Sequence, residues 1–227
     1  IPRGGTCWQL SADLQELLAR MWSIAHATVQ ESTEDVDTRD FANGEDKIRD
    51  YRKMVVQLDL FHRHATGNFG GLLHAVAKDP AMLIFLDAGQ NVKGAPNENF
   101  GREVMELFTM GVGNYTEKDI REAARAFTGW TSDDKTLQFV VLKDKHDDTP
   151  KSFLGKTGNF DGNDILAAIL EQKVTAEWVG GKIYKYFVRE DLTPEMRTKI
   201  GNAFRDGKYE IKPLMQTIFL SKDFYSE

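Results

Sequence analysis

One stretch near the middle of the chain decides the fold class: residues 97–111 read Asn-Glu-Asn-Phe-Gly-Arg-Glu-Val-Met-Glu-Leu-Phe-Thr-Met-Gly. Its apolar side chains lie on one helix face, at Phe100, Val104, Leu107 and Phe108. This spacing predicts an amphipathic helix over 97–110 that packs into a core.

The same helical period continues on both sides of this stretch. It predicts further helices over 10–29, 46–66, 69–78, 81–86, 120–128, 163–172, 175–188, 193–205 and 212–220. Asp79 followed by Pro80 is typical of a helix start, and Thr116 to Asp119 has the pattern of a capping box. The run 137–142 is the one convincing strand, and we expect it to pair with 152–154 as a hairpin. The predicted fold is therefore all-α: an irregular, compact multi-helix domain over 1–227 with one short β-hairpin insertion within 131–160.

In the predicted helix over 46–66, one stripe of apolar residues is expected to face the core: Ile48, Tyr51, Val55, Leu58 and Ala65. His64 lies near the C-terminal end of this helix, where the helix dipole favours a positive charge. The dipole alone accounts for a histidine there, and a binding role is the alternative.

The composition excludes several classes of protein. The 227 residues are 41% hydrophobic and 28% charged, which is enough apolar material for a core. The net charge of −6 argues against a general nucleic-acid binder. No apolar run approaches the roughly 20 residues that a membrane helix needs. The chain begins at Ile1 without a hydrophobic leader, so we expect a processed product or a fragment.

The acidity is concentrated in one segment. Residues 31–50 hold eight acidic and three basic residues, a net charge of −5. Asp35 and Asp37 have the spacing of a calcium loop, but Asp40 stands where that loop needs a glycine. We interpret 31–50 as a solvated acidic loop, with a looser cation site as the alternative.

The central helix also carries the best candidates for chemistry. Asn99, Glu103 and Glu106 share one helix face, and Glu98 and Arg102 form the neighbouring row. Two carboxylates one turn apart are suited to acid/base chemistry or to a divalent cation. A buried network of ion pairs is the alternative, because such pairs perturb pKa values without catalysis.

A second candidate lies in the loop after the predicted strand. His146 and Asp147 provide an imidazole and a carboxylate, but a metal site needs three or four ligands. The others would come from Glu103, Glu106 or His64, so the site hypothesis requires these groups to meet across a pocket. A local turn is the alternative explanation.

The central stretch, with Tyr115-Thr116-Glu117 and 123–130 after it, resembles a bacterial family catalogued as domain of unknown function 1800. Members carry Asn-Glu-Asn-Tyr-Ala-Arg-Glu-Leu, then Thr-x-Gly, then Ala-Arg-Ala-x-Thr-Gly-Trp. The similarity extends to 63–69, 79–83, His146-Asp147, Lys151, 153–155, 182–188 and 221–225. One departure concerns the early helix, where members usually have two histidines and this chain has only His26.

The resemblance implies an exported protein, often encoded beside a sulfatase-like partner, and it states no reaction. We therefore expect a helical module that binds a partner protein or organises a surface assembly. The alternative is a metal-dependent or acid/base hydrolase-like enzyme. Its candidate catalytic residues are Glu103, Glu106, Arg102, His146 and Asp147; its candidate binding residues are Asn97, Glu98, Asn99 and His64. No cofactor is evident from the sequence, although these carboxylates and the histidine are compatible with a divalent metal.

Overall fold

The structure is a computed structural model that describes residues 48 and 50–225. The helix predicted over 10–29 and nearly all of the acidic loop over 31–50 lie outside the described residues. The described part is mostly helical and carries two small two-stranded sheets.

Three helices open the described part of the chain. Helix α1 covers Tyr51–His64, α2 covers Phe69–Ala77 and α3 covers Pro80–Phe85. Each helix begins after a side chain that accepts a backbone amide: Asp50 for α1, Asn68 for α2 and Asp79 for α3. These caps satisfy amides that have no partner inside the helix.

The predicted orientation of α1 is wrong for three residues. Tyr51, Val55 and Leu58 are 76%, 57% and 62% exposed, whereas Leu60 and Phe61 are buried. Lys53 is also buried and pairs with Asp134 at 2.7 Å, so this ion pair turns its side of the helix inward. Leu60 and Phe61 belong to the core, and the other two residues of the predicted stripe, Ile48 and Ala65, are buried as expected.

The central stretch forms two consecutive helices of different kinds. Helix α4 covers Asn99–Glu103, and a π-helix over Val104–Thr109 continues it directly. Helix α5 covers Glu117–Ala126 and begins with the predicted capping box between Thr116 and Asp119. π-Helical turns are rare in proteins, and those that occur are often found at functional sites.

The predicted hairpin is replaced by two hairpins. Strand β1 (Trp130–Ser132) pairs with β2 (Phe139–Val141), and β3 (Lys151–Phe153) pairs with β4 (Lys156–Gly158), both antiparallel. The prediction that 137–142 pairs with 152–154 is therefore wrong. Leu154 and Gly155 explain the second hairpin, because both have positive φ angles (46° and 79°) that suit a tight two-residue turn.

Four more helices complete the described fold: α6 (Gly162–Glu171), α7 (Lys173–Phe187), α8 (Pro194–Asp206) and α9 (Ile211–Phe219). A single cluster of buried residues runs from Leu60 to Ile218 and joins helices from both halves. At its centre the rings of Phe100, Phe127 and Trp130 meet edge to face or tilted, with centroids 4.9–6.3 Å apart. Trp130 is a fully buried core residue. No described helix is both long enough and apolar enough to cross a membrane.

Candidate functional site

Most residues of the central stretch have structural partners. The Asn97 amide donates to Asn91 Oδ1 at 2.9 Å, and Asn97 Oδ1 accepts the Asn99 amide at 2.9 Å. Asn99 Nδ2 donates to the Leu86 carbonyl at 3.3 Å. Asn91 is buried and also donates to the Ala124 carbonyl at 2.7 Å. Asn97 and Asn99 therefore fasten the start of α4 to its neighbours, and these bonds account for both residues.

Arg102 is held by carboxylates at the surface. Its guanidinium lies 3.2 Å from Glu98 and 2.9 Å from Glu117 of α5. The hydrogen bond to Glu117 is the main reason that the pKa of Arg102 lies above its ordinary value. The predicted alternative was a buried network, whereas this network lies at the surface and reaches Glu117 of α5, so it ties α4 to α5.

Glu103 has a different environment from its neighbours. It is 7% exposed, and its Oε2 atom has no hydrogen-bond partner. Burial, and then the negative charge of Glu106, raise the pKa of Glu103 to about 7, although Arg102 acts in the opposite direction. A buried acceptor without a partner is rare in folded proteins, so this oxygen calls for an explanation.

Glu106 and Tyr115 complete what we call the Glu103 cluster, which consists of Glu103, Glu106 and Tyr115. The Tyr115 hydroxyl donates to Glu106 Oε2 at 2.8 Å. Burial and this hydrogen bond raise the pKa of Tyr115 above its ordinary value. The cluster thus has a carboxyl group that can hold a proton near neutral pH beside a carboxylate that accepts a phenol.

His146 and Asp147 form a separate network with α5. Asp147 pairs with Arg125 at 2.8 Å and accepts the Thr149 amide at 3.0 Å. Burial opposes ionisation, but these bonds hold the pKa of Asp147 well below its ordinary value. His146 Nδ1 lies 2.9 Å from the Thr128 carbonyl, so that nitrogen carries the proton.

The same network fixes the insertion to the helical body. Lys151 is fully buried and donates to the carbonyls of Asp147 and Thr149 at 2.6 and 2.9 Å. Gly129 has a φ of 79°, and a Cβ there would lie 2.6 Å from the Leu142 carbonyl. The Thr-Gly-Trp sequence therefore allows this close approach of two backbone segments.

No described hydrogen bond or ion pair joins His146, Asp147 or His64 to the Glu103 cluster. His64 lies half-buried in the last turn of α1. Within 48 and 50–225, no three His, Cys, Asp or Glu side chains are grouped as a metal site would require. The cluster and the His146 loop are therefore two separate arrangements in this part of the chain.

The comparisons with known proteins agree with the pattern of these residues. A family model described as "Protein of unknown function (DUF1800)" matches residues 12–227. The chain belongs to the DUF1800 family. No curated protein and no solved structure matches the chain. Membership of the DUF1800 family thus confirms the resemblance and adds no activity.

The sequence pattern does not mark Tyr115 or Lys182 as a site residue. Tyr115 belongs to the stretch that resembles the DUF1800 family, and its phenol contacts Glu106 only in the folded chain. Lys182 of α7 donates to the Leu107 carbonyl at 2.9 Å. Both contacts link residues whose geometry depends on tertiary packing, so helical spacing does not reveal them.

Proposed function

We propose that this chain carries an acid/base site of the hydrolase-like kind, built on the Glu103 cluster. The supporting observation is the buried Oε2 atom of Glu103, which has no partner and lies on a carboxyl group beside Glu106. A carboxyl with a pKa of about 7 exchanges its proton readily at neutral pH. In this proposal Glu103 gives or takes the proton, while the hydrogen bond from Tyr115 holds Glu106 in position beside it.

The experiment measures hydrolysis of chromogenic p-nitrophenyl esters, phosphates, sulfates and glycosides. We expect Glu103→Gln to abolish turnover of any substrate that the protein hydrolyses, because the glutamine cannot exchange a proton. Glu117→Gln is the matched control, since Glu117 is an exposed carboxylate that pairs with Arg102. Equal rates for the protein and Glu103→Gln would contradict the proposal.

The same carboxylates are oxygen ligands that suit a hard divalent cation. A thermal-shift titration with Mg²⁺, Ca²⁺, Mn²⁺ and Zn²⁺ tests the metal-dependent form of the proposal. We expect a cation-dependent rise in melting temperature for the protein and none for Glu103→Gln. The acid/base form without a metal predicts no shift for either protein.

A second proposal is that the chain is a partner-binding module of an exported bacterial protein. The supporting observation is the apolar face of α1, where Tyr51, Val55 and Leu58 are exposed at successive turns. Exposed apolar patches of this kind often mark protein interfaces. The proposed occupant is the sulfatase-like partner that the resemblance implies.

Calorimetry with a purified sulfatase-like protein encoded beside the gene tests this second proposal. We expect Val55→Asp with Leu58→Asp to weaken binding at least tenfold, and Arg63→Ala on the same helix to leave binding unchanged. Hydroxyl-radical footprinting of Tyr51 in the free protein provides the other measurement. Protection of Tyr51 without a partner would mean that the chain's own residues 1–47 or a second copy cover the face.

A further inference from the structure

The end of the π-helix has an unusual hydrogen-bond pattern. The amides of Met110 and Gly111 both donate to the Met105 carbonyl, at 2.8 and 3.1 Å. In a regular α-helix the Gly111 amide would donate to the Leu107 carbonyl instead. The Leu107 carbonyl is therefore an acceptor that the α-helical pattern would use and that the Gly111 amide does not use here.

Side chains from α7 occupy that acceptor. Lys182 Nζ donates to the Leu107 carbonyl at 2.9 Å, and Trp178 Nε1 donates to it at 3.4 Å. Lys182 Nζ also lies 5.0 Å from the centre of the Trp178 ring, within range of a cation–π interaction. The two residues are four positions apart and act on the same carbonyl from one face of α7.

Lys182 keeps this position at an energetic cost. Burial lowers its pKa to about 8, and its hydrogen bond within the described chain goes to a carbonyl, not to a carboxylate. A buried ammonium without an opposite charge is unfavourable unless its contact serves the structure. The contact with the Leu107 carbonyl therefore accounts for the position of this half-buried lysine.

We propose that Lys182, together with Trp178, is a positioning residue that maintains the π-helix and thereby the arrangement of Glu103 and Glu106. This inference rests on the proposed acid/base function of the Glu103 cluster. If the Leu107 carbonyl were free, the Gly111 amide would move to it and restore the α-helical pattern. The turn per residue differs between the two helices, so Glu106 would rotate relative to Glu103 and lose its bond to Tyr115.

Within the described residues, three charged or titratable groups interact with Glu103: Glu106, Arg102 and Tyr115. Glu106 lies on the same helical segment and raises the pKa of Glu103, whereas Arg102 lowers it. Tyr115 lies in the loop before α5. The negative charge of Glu103 helps to raise the pKa of Tyr115, and the Tyr115 hydroxyl donates to Glu106. A change in the π-helix alters the Glu106 position and leaves Arg102, in α4, in place.

The experiment follows the protonation of Glu103 by NMR of ¹³Cδ-labelled glutamate, assigned with Glu103→Gln. For the unaltered protein we expect a midpoint near pH 7. In Lys182→Met we expect the midpoint to fall by about one pH unit, because the negative charge of Glu106 moves away from Glu103. Lys182→Arg keeps a donor, and Lys185→Met removes an exposed lysine of the same helix; neither should move the midpoint.

A melting temperature that falls in Lys182→Met while the Glu103 midpoint stays unchanged would overturn the positioning role. If Lys182→Met does not fold, the outcome rests on Trp178→Phe, which removes one donor and keeps the ring; an unmoved midpoint there also overturns it. If the unaltered protein titrates at an ordinary glutamate pKa, the acid/base proposal fails instead. The two failures are thus distinguishable.

Discussion

Glu103 and Arg102 are neighbours in the chain but have opposite environments. Arg102 reaches two carboxylates at the surface, while the Glu103 carboxyl is turned into the protein. The sequence predicts that both residues lie on the same helix, but it does not indicate that Arg102 is ion-paired at the surface while Glu103 is buried. That difference depends on which face α5 covers, and helical spacing alone does not specify it.

The first prediction concerns the pH dependence of stability at Glu103. The pKa of this group rises from an ordinary 4.5 to about 7 in the folded protein. Its contribution to stability is therefore complete below pH 4.5 and is lost as the pH rises through 7. The unfolding free energy of Glu103→Gln minus that of the unaltered protein should therefore increase by up to about 3 kcal/mol from pH 4 to pH 8.

Urea unfolding at several pH values, performed on both proteins, measures this difference. Glu117→Gln serves as the control, because the pKa of Glu117 is lowered by its hydrogen bond to Arg102. A constant difference between the protein and Glu103→Gln from pH 4 to pH 8 would show that Glu103 is not buried in this way.

At the level of elements, Gly111 and Gly113 lie close together and have similar backbone angles, with φ of 77° and 86°. A Cβ on Gly111 would lie 2.5 Å from the Trp178 ring, whereas a Cβ on Gly113 meets nothing within 4 Å. One glycine is therefore needed for backbone conformation alone, and the other also allows Trp178 to reach the π-helix.

This pair gives the second prediction. Gly113→Ala should lower the unfolding free energy by about 1 kcal/mol, the usual cost of a left-handed alanine. Gly111→Ala should cost about 2 kcal/mol more, because overpacking displaces Trp178. Chemical denaturation measures both values, and equal losses would mean that Trp178 moves aside freely.

The third prediction tests the orientation of α1 with a pair of leucines. Leu58 is exposed and Leu60 is buried, although the helical period alone favoured Leu58 as the core residue. Leu60→Ala should lower the unfolding free energy by about 2–4 kcal/mol, and Leu58→Ala should change it by less than about 0.5 kcal/mol. Thermal or urea unfolding of the two variants decides the matter; a larger loss for Leu58→Ala would reverse the assignment.

The hairpins show where the sequence was informative and where it was not. The strand over Phe139–Val141 was predictable from its apolar run, but its partner β1 was not, because Trp130 belongs to a helical motif in the sequence. Gly155 is a turn signal for the other hairpin, but Leu154 is not, because a leucine is not expected at the positive φ angle that this turn requires. Strand pairing is a long-range property, so local composition constrained it weakly.

At the scale of the whole molecule, Arg125 connects the helical body to the insertion. It pairs with Glu122 of α5 and with Asp147, and it donates to Thr149 at 2.6 Å. These contacts and the buried Lys151 explain most of the residues in the loop that the sequence marked as a candidate metal site.

The fourth prediction is that Arg125→Met loosens the insertion and leaves the helical core intact. Amides over 146–153 should exchange faster with deuterium by about tenfold, because the local opening free energy falls by about 1–2 kcal/mol. Arg121→Met is the control, since Arg121 lies one turn earlier on the exposed side of α5. Faster exchange throughout α6 and α7 would indicate that the insertion and the core open together.

The helical part of the fold was largely predictable because periodicity marks the helices and caps mark several of their starts, as at Thr116 and Asp119. The candidate site was only partly so: Glu103 and Glu106 were apparent as a pair, while the π-helix and its contacts with Tyr115 and Lys182 were not. The two helix types differ by one residue in the span of their hydrogen bonds, and we propose that tertiary contacts at the end of the helix, here at the Leu107 carbonyl, select between them.

Asn97, Asn99 and Arg102 stabilise the scaffold, whereas Glu103 in the same stretch is not needed for any described hydrogen bond. A homologue with glutamine at the position of Glu103 would therefore still fold and still match the family model. The family signature identifies ancestry, and a relative that lacks the proposed Glu103 site would retain it. If the proposed acid/base function holds, sorting relatives by the Glu103 cluster would separate those with the site from those that keep only the architecture.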